Sequence, residues 1–296
     1  MSGPKDITIG DRFAQGDLCD LYFGATNDLK PSTHEIKTAL ERVFEDDEDV
    51  RVVVKTARFI NDNDLVANEA HILTHLYPSG AKEEKFYRYL PRLLHSYVRE
   101  DGRRTNVIPY FPDFVSFADI LRVYPDGIDY RDLAWMFKRL LACIGFAHTK
   151  GVVHGAVLPP HVLVHPTGHG AKIIDWSYAV VKEDRNSIKA VCTDWRTYYP
   201  PEVFQRQLPT AATDVYMAAQ CAVALLGGDV KVWQTPGAVP VELCEFLAPC
   251  LKERPSERPQ DAWALHEAFD RLLLKLVGKP AYRPFTMPEG TSSNAT

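Results

Sequence analysis

The chain has 296 residues, of which 46% are hydrophobic and 25% charged, and it carries a formal net charge of −5 at pH 7. This composition is that of a globular protein with a full core, and the negative charge gives no general attraction to nucleic acid or anionic membranes. Because no stretch approaches the roughly 20 apolar residues of a membrane span, and the first residues lack the apolar region of a secretory signal, we expect a cytoplasmic protein with neither nucleic acid nor membrane as partner.

The first part of the chain predicts a small sheet with one helix. Residues 7–25 alternate in strand fashion on both sides of Gly16. The helix is indicated by apolar residues at intervals of three and four, with Glu69 in its middle. The predicted elements are two strands in 7–25, further strands at 51–55, 93–99 and 105–111, and a helix at 62–76.

After Pro112 the pattern changes to that of helices. Helices are predicted at 119–123 and 130–150, a strand pair at 162–164 and 171–175, and mostly helices from 198 to 277. The tail from Lys279 is rich in Pro, Ser and Thr, which predicts disorder. The predicted domains are therefore 1–111 with the sheet, 112–278 with most helices, and a disordered tail at 279–296.

Cysteine and histidine spacing does not predict a metal site. The six cysteines are scattered without a CxxC pair, which favours reduced, buried thiols. His71 and His75, and the run His161, His165 and His169, have no carboxylate or cysteine partner at ligand spacing.

Three stretches are candidate surfaces for a protein partner, although each also fits ordinary solvated surface. One is the polar excursion 27–49, which ends in an acidic run. The others are the basic and aromatic stretch 82–92 and the segment 182–199.

One lysine, one glutamate and one aspartate carry most of the chemistry of the chain. Lys55 ends a β-branched strand, and Glu69 on the next helix could pair with it and aim the ammonium at phosphate oxygens. The same pair could instead only clamp helix to sheet. Asp175 follows an apolar strand and is a hard oxygen ligand of the type that holds Mg²⁺, or else a turn cap.

The order of these features resembles the protein kinase family from about residue 7 to residue 276. Any one match is weak, but seven in the right order are specific. The matching stretches are Ala14–Cys19 at the Gly-rich loop, Val52–Lys55 at the VAIK strand, Glu69 at its partner glutamate, Asp175–Ser177 at DFG, Tyr199–Glu202 at APE, Asp214 in the long C-lobe helix, and Arg258 at the arginine that pairs with the APE glutamate.

The resemblance implies an α+β, bilobal protein kinase-like fold with a small antiparallel-sheet N-lobe and a mainly helical C-lobe. It also implies ATP and Mg²⁺ as candidate ligands, with Gly16, Lys55 and Glu69 at the nucleotide and Asp175 at the metal. Three further matched residues are interpreted as buried structural tethers: Glu202, Asp214 and Arg258.

The stretch HGAVLPPHVLV, from His154 to 164, departs from the family loop HRDLKPENIL. The family's aspartate, lysine and asparagine are replaced by Ala156, Leu158 and His161, and its arginine by Gly155. None of these replacements can act as the base, the phosphate-directed cation or the second Mg²⁺ ligand. The apolar frame of the loop is kept. The resemblance therefore implies a catalytically impaired pseudokinase that acts as a protein-binding scaffold or regulator.

Two enzymatic alternatives stay open on the sequence. An active Ser/Thr protein kinase could recruit His161 or Asp194 as an unusual base. A small-molecule phosphotransferase of the aminoglycoside or choline kinase type is suggested by the HG pair at His154 and by Asp175–Trp176, although such enzymes need the same loop aspartate.

Overall fold

The computed structural model describes residues 7–26, 50–77, 86–279 and 281–288, which form two compact units. Among these residues, the first unit contains 7–26, 50–77 and 91–112, and the second contains 86–90, 113–279 and 281–288. The acidic excursion 27–49, and residues 82–85 of the basic and aromatic stretch, lie outside the described residues.

An antiparallel sheet forms the first unit, with strands in the order β1 (Ile7–Gln15), β2 (Cys19–Thr26), β3 (Val50–Ala57), β5 (Arg104–Pro109) and β4 (His95–Val98). Alternation along β3 turns Val52 and Val54 inward, where they pack against Val107 of β5. The predicted antiparallel sheet is thereby confirmed. The helix of this unit is α1 (Asn63–Leu76), which lies between β3 and β4 in the chain.

The second unit is mainly helical, as the sequence predicts. Its most buried helix, α5 (Ala211–Leu225), is rich in alanine and is buried over almost its whole length, so other elements pack on every side of it. The helices are α2 (Phe117–Val123), α3 (Tyr130–Thr149), α4 (Pro201–Phe204), α5 (Ala211–Leu225), α6 (Val241–Leu247) and α7 (Ala262–Leu276). The short strands are β6 (Val115–Ser116), β7 (Val152–Val153), β8 (Val162–Val164), β9 (Ala171–Ile173) and β10 (Val180–Val181).

Residues 86–90, which lie within the predicted domain 1–111, belong to the second unit. Tyr87 packs edge-on against Phe146 of α3 at 5.2 Å, and Phe86 lies 4.9 Å from the Trp263 ring of α7. Phe86 and Tyr87 thus find aromatic partners on α3 and α7, which no local periodicity could show.

Of the predicted tail, residues 281–288 pack on the second unit without forming a helix or strand, and residues 280 and 289–296 lie outside the described residues. Phe285 is buried there. The proline content of residues 281–288 prevents regular secondary structure, but their aromatic side chains still supply apolar surface to bury.

No helix in the described parts of the chain is long and apolar enough to cross a membrane.

Candidate functional site

Lys55 and Glu69 meet in the first unit, as the sequence predicts. Lys55 Nζ lies 3.0 Å from Glu69 Oε1, and both side chains are buried. Asn106 on β5 stands opposite Lys55 in the strand register and donates from Nδ2 to Glu69 Oε2 at 3.0 Å. The same amide donates to the carbonyl oxygen of Val66 on α1. The glutamate therefore has a partner on each carboxylate oxygen, and helix and sheet are clamped together.

Asn106 is a site residue that the sequence reasoning missed. The signal available in the sequence was a polar residue within a predicted strand, immediately before the apolar Val107 and Ile108. A polar side chain in such a strand is found where it has a hydrogen-bond partner.

The loop around Gly16 is closed by its own main chain. Gly16 N–H donates to the Cys19 carbonyl at 2.8 Å, and Arg58 donates to the Gly16 carbonyl at 3.3 Å. The Cys19 side chain is buried against Ala57 and Val66 instead of leaving the open space that a glycine would. The amide of Gly16 is therefore engaged by the main chain of the same loop.

The loop that begins at His154 is anchored by Asp214 of α5. One oxygen of this fully buried carboxylate accepts from the His154 amide, and the other accepts from the Gly155 amide, each at 2.8 Å. His148 Nε2 lies 2.8 Å from the same carboxylate. Asp214 is thus the structural tether that the sequence predicts.

His154 is held as a neutral imidazole. Its Nε2–H donates to the Ile174 carbonyl at 3.0 Å, and its Nδ1 accepts from the Ala156 amide at 3.3 Å. The ring packs edge-on against Trp176 at 4.5 Å. Burial lowers the pKa of His154 from 6.5 to about 4, although the nearby Asp214 carboxylate opposes the change.

Ala156 and Leu158, which replace the family's aspartate and lysine, are completely buried and pack in the core. Neither side chain carries a group that can move a proton or neutralise a phosphate. The loop keeps its place through packing and through main-chain hydrogen bonds.

His161 and Asp175 lie together in the second unit. His161 Nδ1 is 2.8 Å from the Ala156 carbonyl, and its Nε2 is 3.3 Å from Asp175 Oδ2. A carbonyl oxygen can only accept, so Nδ1 carries a hydrogen. Its Nε2 therefore faces the Asp175 carboxylate. The imidazole stands against Asp175 where the family has an asparagine.

Asp175 is also a turn cap. Its backbone adopts a left-handed conformation with φ of 60°, and its Oδ1 accepts from the Ser177 amide at 3.4 Å. Trp176 and Ser177 beyond it are completely buried, and the indole of Trp176 donates to the Ile173 carbonyl. These contacts hold the Asp175–Ser177 turn in one conformation.

The donor set of the second unit fits Mg²⁺ poorly. Asp175 offers a hard oxygen ligand, but its neighbour His161 is an imidazole, which suits softer metals. Among the described residues, no group of three or more His, Cys, Asp or Glu side chains could hold a metal. The histidine run likewise forms no cluster there, since His169 contacts the tail instead.

Gly155 occupies a position that only glycine fits. Its φ is +74°, and a Cβ atom would lie 2.8 Å from the Tyr178 carbonyl oxygen and 3.1 Å from the Ile188 side chain. Ile188 is buried, and Arg206 donates to its carbonyl at 2.8 Å and to that of Lys189 at 2.7 Å. The segment 182–199 is thus fixed at Ile188 by packing against the loop.

We expect Gly155→Ala to lower the free energy of unfolding by about 1–3 kcal/mol more than Gly151→Ala. The two glycines have nearly the same φ, +74° and +73°, but nothing lies within 4 Å of a Cβ atom at Gly151. The difference therefore isolates the clash with Tyr178 and Ile188, and urea unfolding of both variants measures it. Equal losses would show that Ile188 does not press on the loop.

Comparison with known proteins finds similarity to protein kinases, and no family model matches the chain. The chain is 28% identical over 98 residues to calcium/calmodulin-dependent protein kinase type 1 of Caenorhabditis elegans, covering 33% of this chain and 28% of that one. It is 22% identical over 137 residues to cyclin-dependent kinase-like 2 of Rattus norvegicus, covering 46% and 26%. It is 24% identical over 124 residues to casein kinase II subunit alpha' of Saccharomyces cerevisiae, covering 39% and 36%.

The aligned regions span only about a quarter to a third of these relatives, from 26% to 36% of their length. The sheet of the first unit, the helices of the second and the kinase motifs distributed over them agree with these similarities. Together they support the protein kinase-like superfamily, and the fold of the chain is of the protein kinase-like class.

Proposed function

We propose that the protein is a pseudokinase, which acts by binding another protein and not by transferring phosphate. The observation that carries this proposal is the loop from His154 to His161. Its shape is kept by Asp214, while Ala156 and Leu158 are completely buried where the family has a base and a cation. Loss of a general base alone reduces the rate by roughly 10²–10⁴-fold.

The active-kinase alternative requires another base, and the geometry disfavours His161 in that role. A base needs a lone pair that can reach a substrate hydroxyl. His161 is buried, its Nδ1 donates to the Ala156 carbonyl, and its Nε2 faces Asp175. Asp194, the other candidate, is exposed in segment 182–199.

The small-molecule phosphotransferase alternative needs the loop aspartate that Ala156 replaces. The similarities found are to protein kinases by name. Both observations favour a pseudokinase over an enzyme of this type.

Nucleotide binding is a separate part of the proposal. Lys55, with its partner Glu69, is the candidate phosphate contact, while the closed loop at Gly16 and the poor fit to Mg²⁺ act against an ordinary ATP–Mg²⁺ complex. We propose ATP as the candidate ligand, Asp175 as the candidate oxygen ligand of a metal, and a protein as the partner.

We expect no transfer of labelled phosphate from ATP to a generic protein substrate above a blank without the chain, with or without Mg²⁺. In thermal unfolding, we expect any stabilisation by ATP to be no larger with Mg²⁺ than without it, and to be lost in Lys55→Ala. A ligand at 100 times its Kd adds about 2.7 kcal/mol, which is large enough to detect.

The control is the pair Ala156→Asp and His161→Asn in one chain. It restores two family residues, but we expect it to stay inactive because Leu158 and the closed Gly16 loop remain. Robust phosphotransfer by the unmodified chain would contradict the pseudokinase proposal. A larger ATP effect in the presence of Mg²⁺ would contradict the inferred poor fit to the metal.

A further inference from the structure

The C-terminal segment, defined here as residues 281–288, lies on a surface of the second unit that has the features of a peptide-binding site. The surface is formed by Tyr124 after α2, by the first turn of α3, and by the turn that joins β8 to β9. It offers the segment two carboxylates and an aromatic platform.

The carboxylates hold an arginine. Arg283 Nε lies 3.0 Å from Asp132 Oδ1, and its Nη1 lies 3.4 Å from Asp129 Oδ2. Asp132 is buried, and burying its charged carboxylate costs much less free energy when a guanidinium lies beside it. The surface thus selects for a cation at this position.

An apolar anchor follows two residues later. Phe285 is 6% exposed and packs against the Tyr124 ring at 5.5 Å between centroids. Its amide donates to the Pro166 carbonyl at 3.3 Å, and the Tyr124 hydroxyl donates to the Thr286 carbonyl. Such a buried aromatic residue is the usual source of affinity in peptide recognition.

The aromatic platform is His169, which other residues of the second unit fix in place. Its ring stacks on Trp135 at 4.0 Å with an interplanar angle of 4°, and its carbonyl accepts from Arg139. On this platform lies the Tyr282 ring at 4.9 Å, and His169 Nε2 donates to the Arg283 carbonyl at 2.8 Å. Because Trp135 and Arg139 hold His169 without help from the segment, the platform is already formed before a peptide arrives.

The segment has the character of a ligand more than of a structural element. It forms neither helix nor strand, and it follows α7 after the left-handed Gly278. Tyr282 is 67% exposed and Arg283 is partly exposed, so both can leave without opening the core. Its recognition depends on side chains in the order aromatic, arginine, proline, aromatic.

We propose that this surface is a peptide-binding site, filled in this chain by its own Tyr282–Phe285 and able to take a partner segment that presents an arginine between two aromatic residues. The site is separate from the loop at His154, and it does not depend on whether the protein transfers phosphate. A tethered segment acts at an effective concentration of about 1 mM when its linker is short. A free peptide must therefore displace it.

The test uses the full chain and a fluorescent peptide with the sequence of residues 279–290. In the chain variant Arg283→Glu with Phe285→Ala, the tethered segment is repelled by Asp129 and Asp132 and loses its anchor. We expect the labelled peptide to bind this variant at least about tenfold more tightly than it binds the unmodified chain, because the cis competitor is gone. Fluorescence anisotropy measures both affinities.

Two controls make the result specific. A peptide that carries the same two substitutions should not bind either chain, and adding Asp132→Asn to the chain variant should weaken binding of the unmodified peptide. If the double variant does not fold, Arg283→Ala alone removes one anchor, and we then expect a gain of about threefold, since Phe285 stays bound part of the time.

Equal, weak binding of the peptide to the unmodified chain and to a folded variant would overturn the proposal and leave the segment as a fixed part of the fold. A dimer of the unmodified chain that the double variant fails to form would also overturn it. The segment would then bind a second copy instead of its own chain.

Discussion

Replacing Arg258 by alanine is expected to lower the free energy of unfolding by about 3–5 kcal/mol, because it leaves a buried carboxylate without its partner. Arg258 donates two parallel hydrogen bonds of 2.6 and 3.0 Å to the Glu202 carboxylate. The Arg258 side chain is 0% exposed and that of Glu202 is 2% exposed. The guanidinium also donates to the Lys252 and Glu253 carbonyls, and it lies over the Tyr216 ring. Urea unfolding monitored by circular dichroism measures the loss.

A matched control is available on the surface. Arg254 pairs with Glu257 at 3.6 Å, but the two side chains are 80% and 49% exposed. Arg254→Ala should therefore change the free energy of unfolding by less than about 1 kcal/mol. Replacing both Glu202 and Arg258 by apolar residues of similar size should recover much of the loss, since no charge then stays buried alone. Equal losses of unfolding free energy in Arg258→Ala and Arg254→Ala would contradict the role of the Glu202–Arg258 pair as a structural tether.

We expect His154 to lower the free energy of unfolding by about 2 kcal/mol when the pH falls from 7 to 5. Burial lowers its pKa in the folded protein from 6.5 to about 4. Below pH 6.5 the unfolded chain therefore takes up a proton that the folded chain refuses. The neutral His154 ring therefore contributes its full stabilisation above about pH 6.5. This contribution to the free energy of unfolding decreases as the pH falls to about 4, by about 3 kcal/mol in total.

The physical reason lies in the two hydrogen bonds of the ring. A second proton on Nδ1 would point at the Ala156 amide, which already donates to that nitrogen. His154→Gln should therefore reduce the difference in free energy of unfolding between the two pH values by about 2 kcal/mol. His71→Gln removes an exposed imidazole of α1 and should leave that difference as it is. An unchanged difference in His154→Gln would show that the ring is protonated in the folded state.

The sequence was sufficient to predict contacts between site residues that lie on regular strands and helices. Lys55 and Glu69 meet because α1 follows β3 after a short connection at 58–62, and the alternation of β3 and the periodicity of α1 are visible in the sequence. Glu202 and Arg258 pair across 56 residues, and there only the resemblance to kinases supplied the partner.

The sequence was insufficient where contacts depend on irregular backbone. The position of Ile188 against Gly155, and of Phe285 on Tyr124, follows from turns and extended segments that leave no periodic signal. Composition likewise gives no signal for the packing of residues 281–288, because proline opposes helices and strands but does not oppose packing.

Asp214 has a consequence for how such a loop can change over evolutionary time. It holds the loop by the amides of His154 and Gly155, and every residue except proline has an amide to offer. Substitutions at Ala156, Leu158 or His161 therefore leave these two anchoring bonds intact. The shape of the loop and its chemistry can be inherited separately, so a lineage can lose the reaction without first losing the fold.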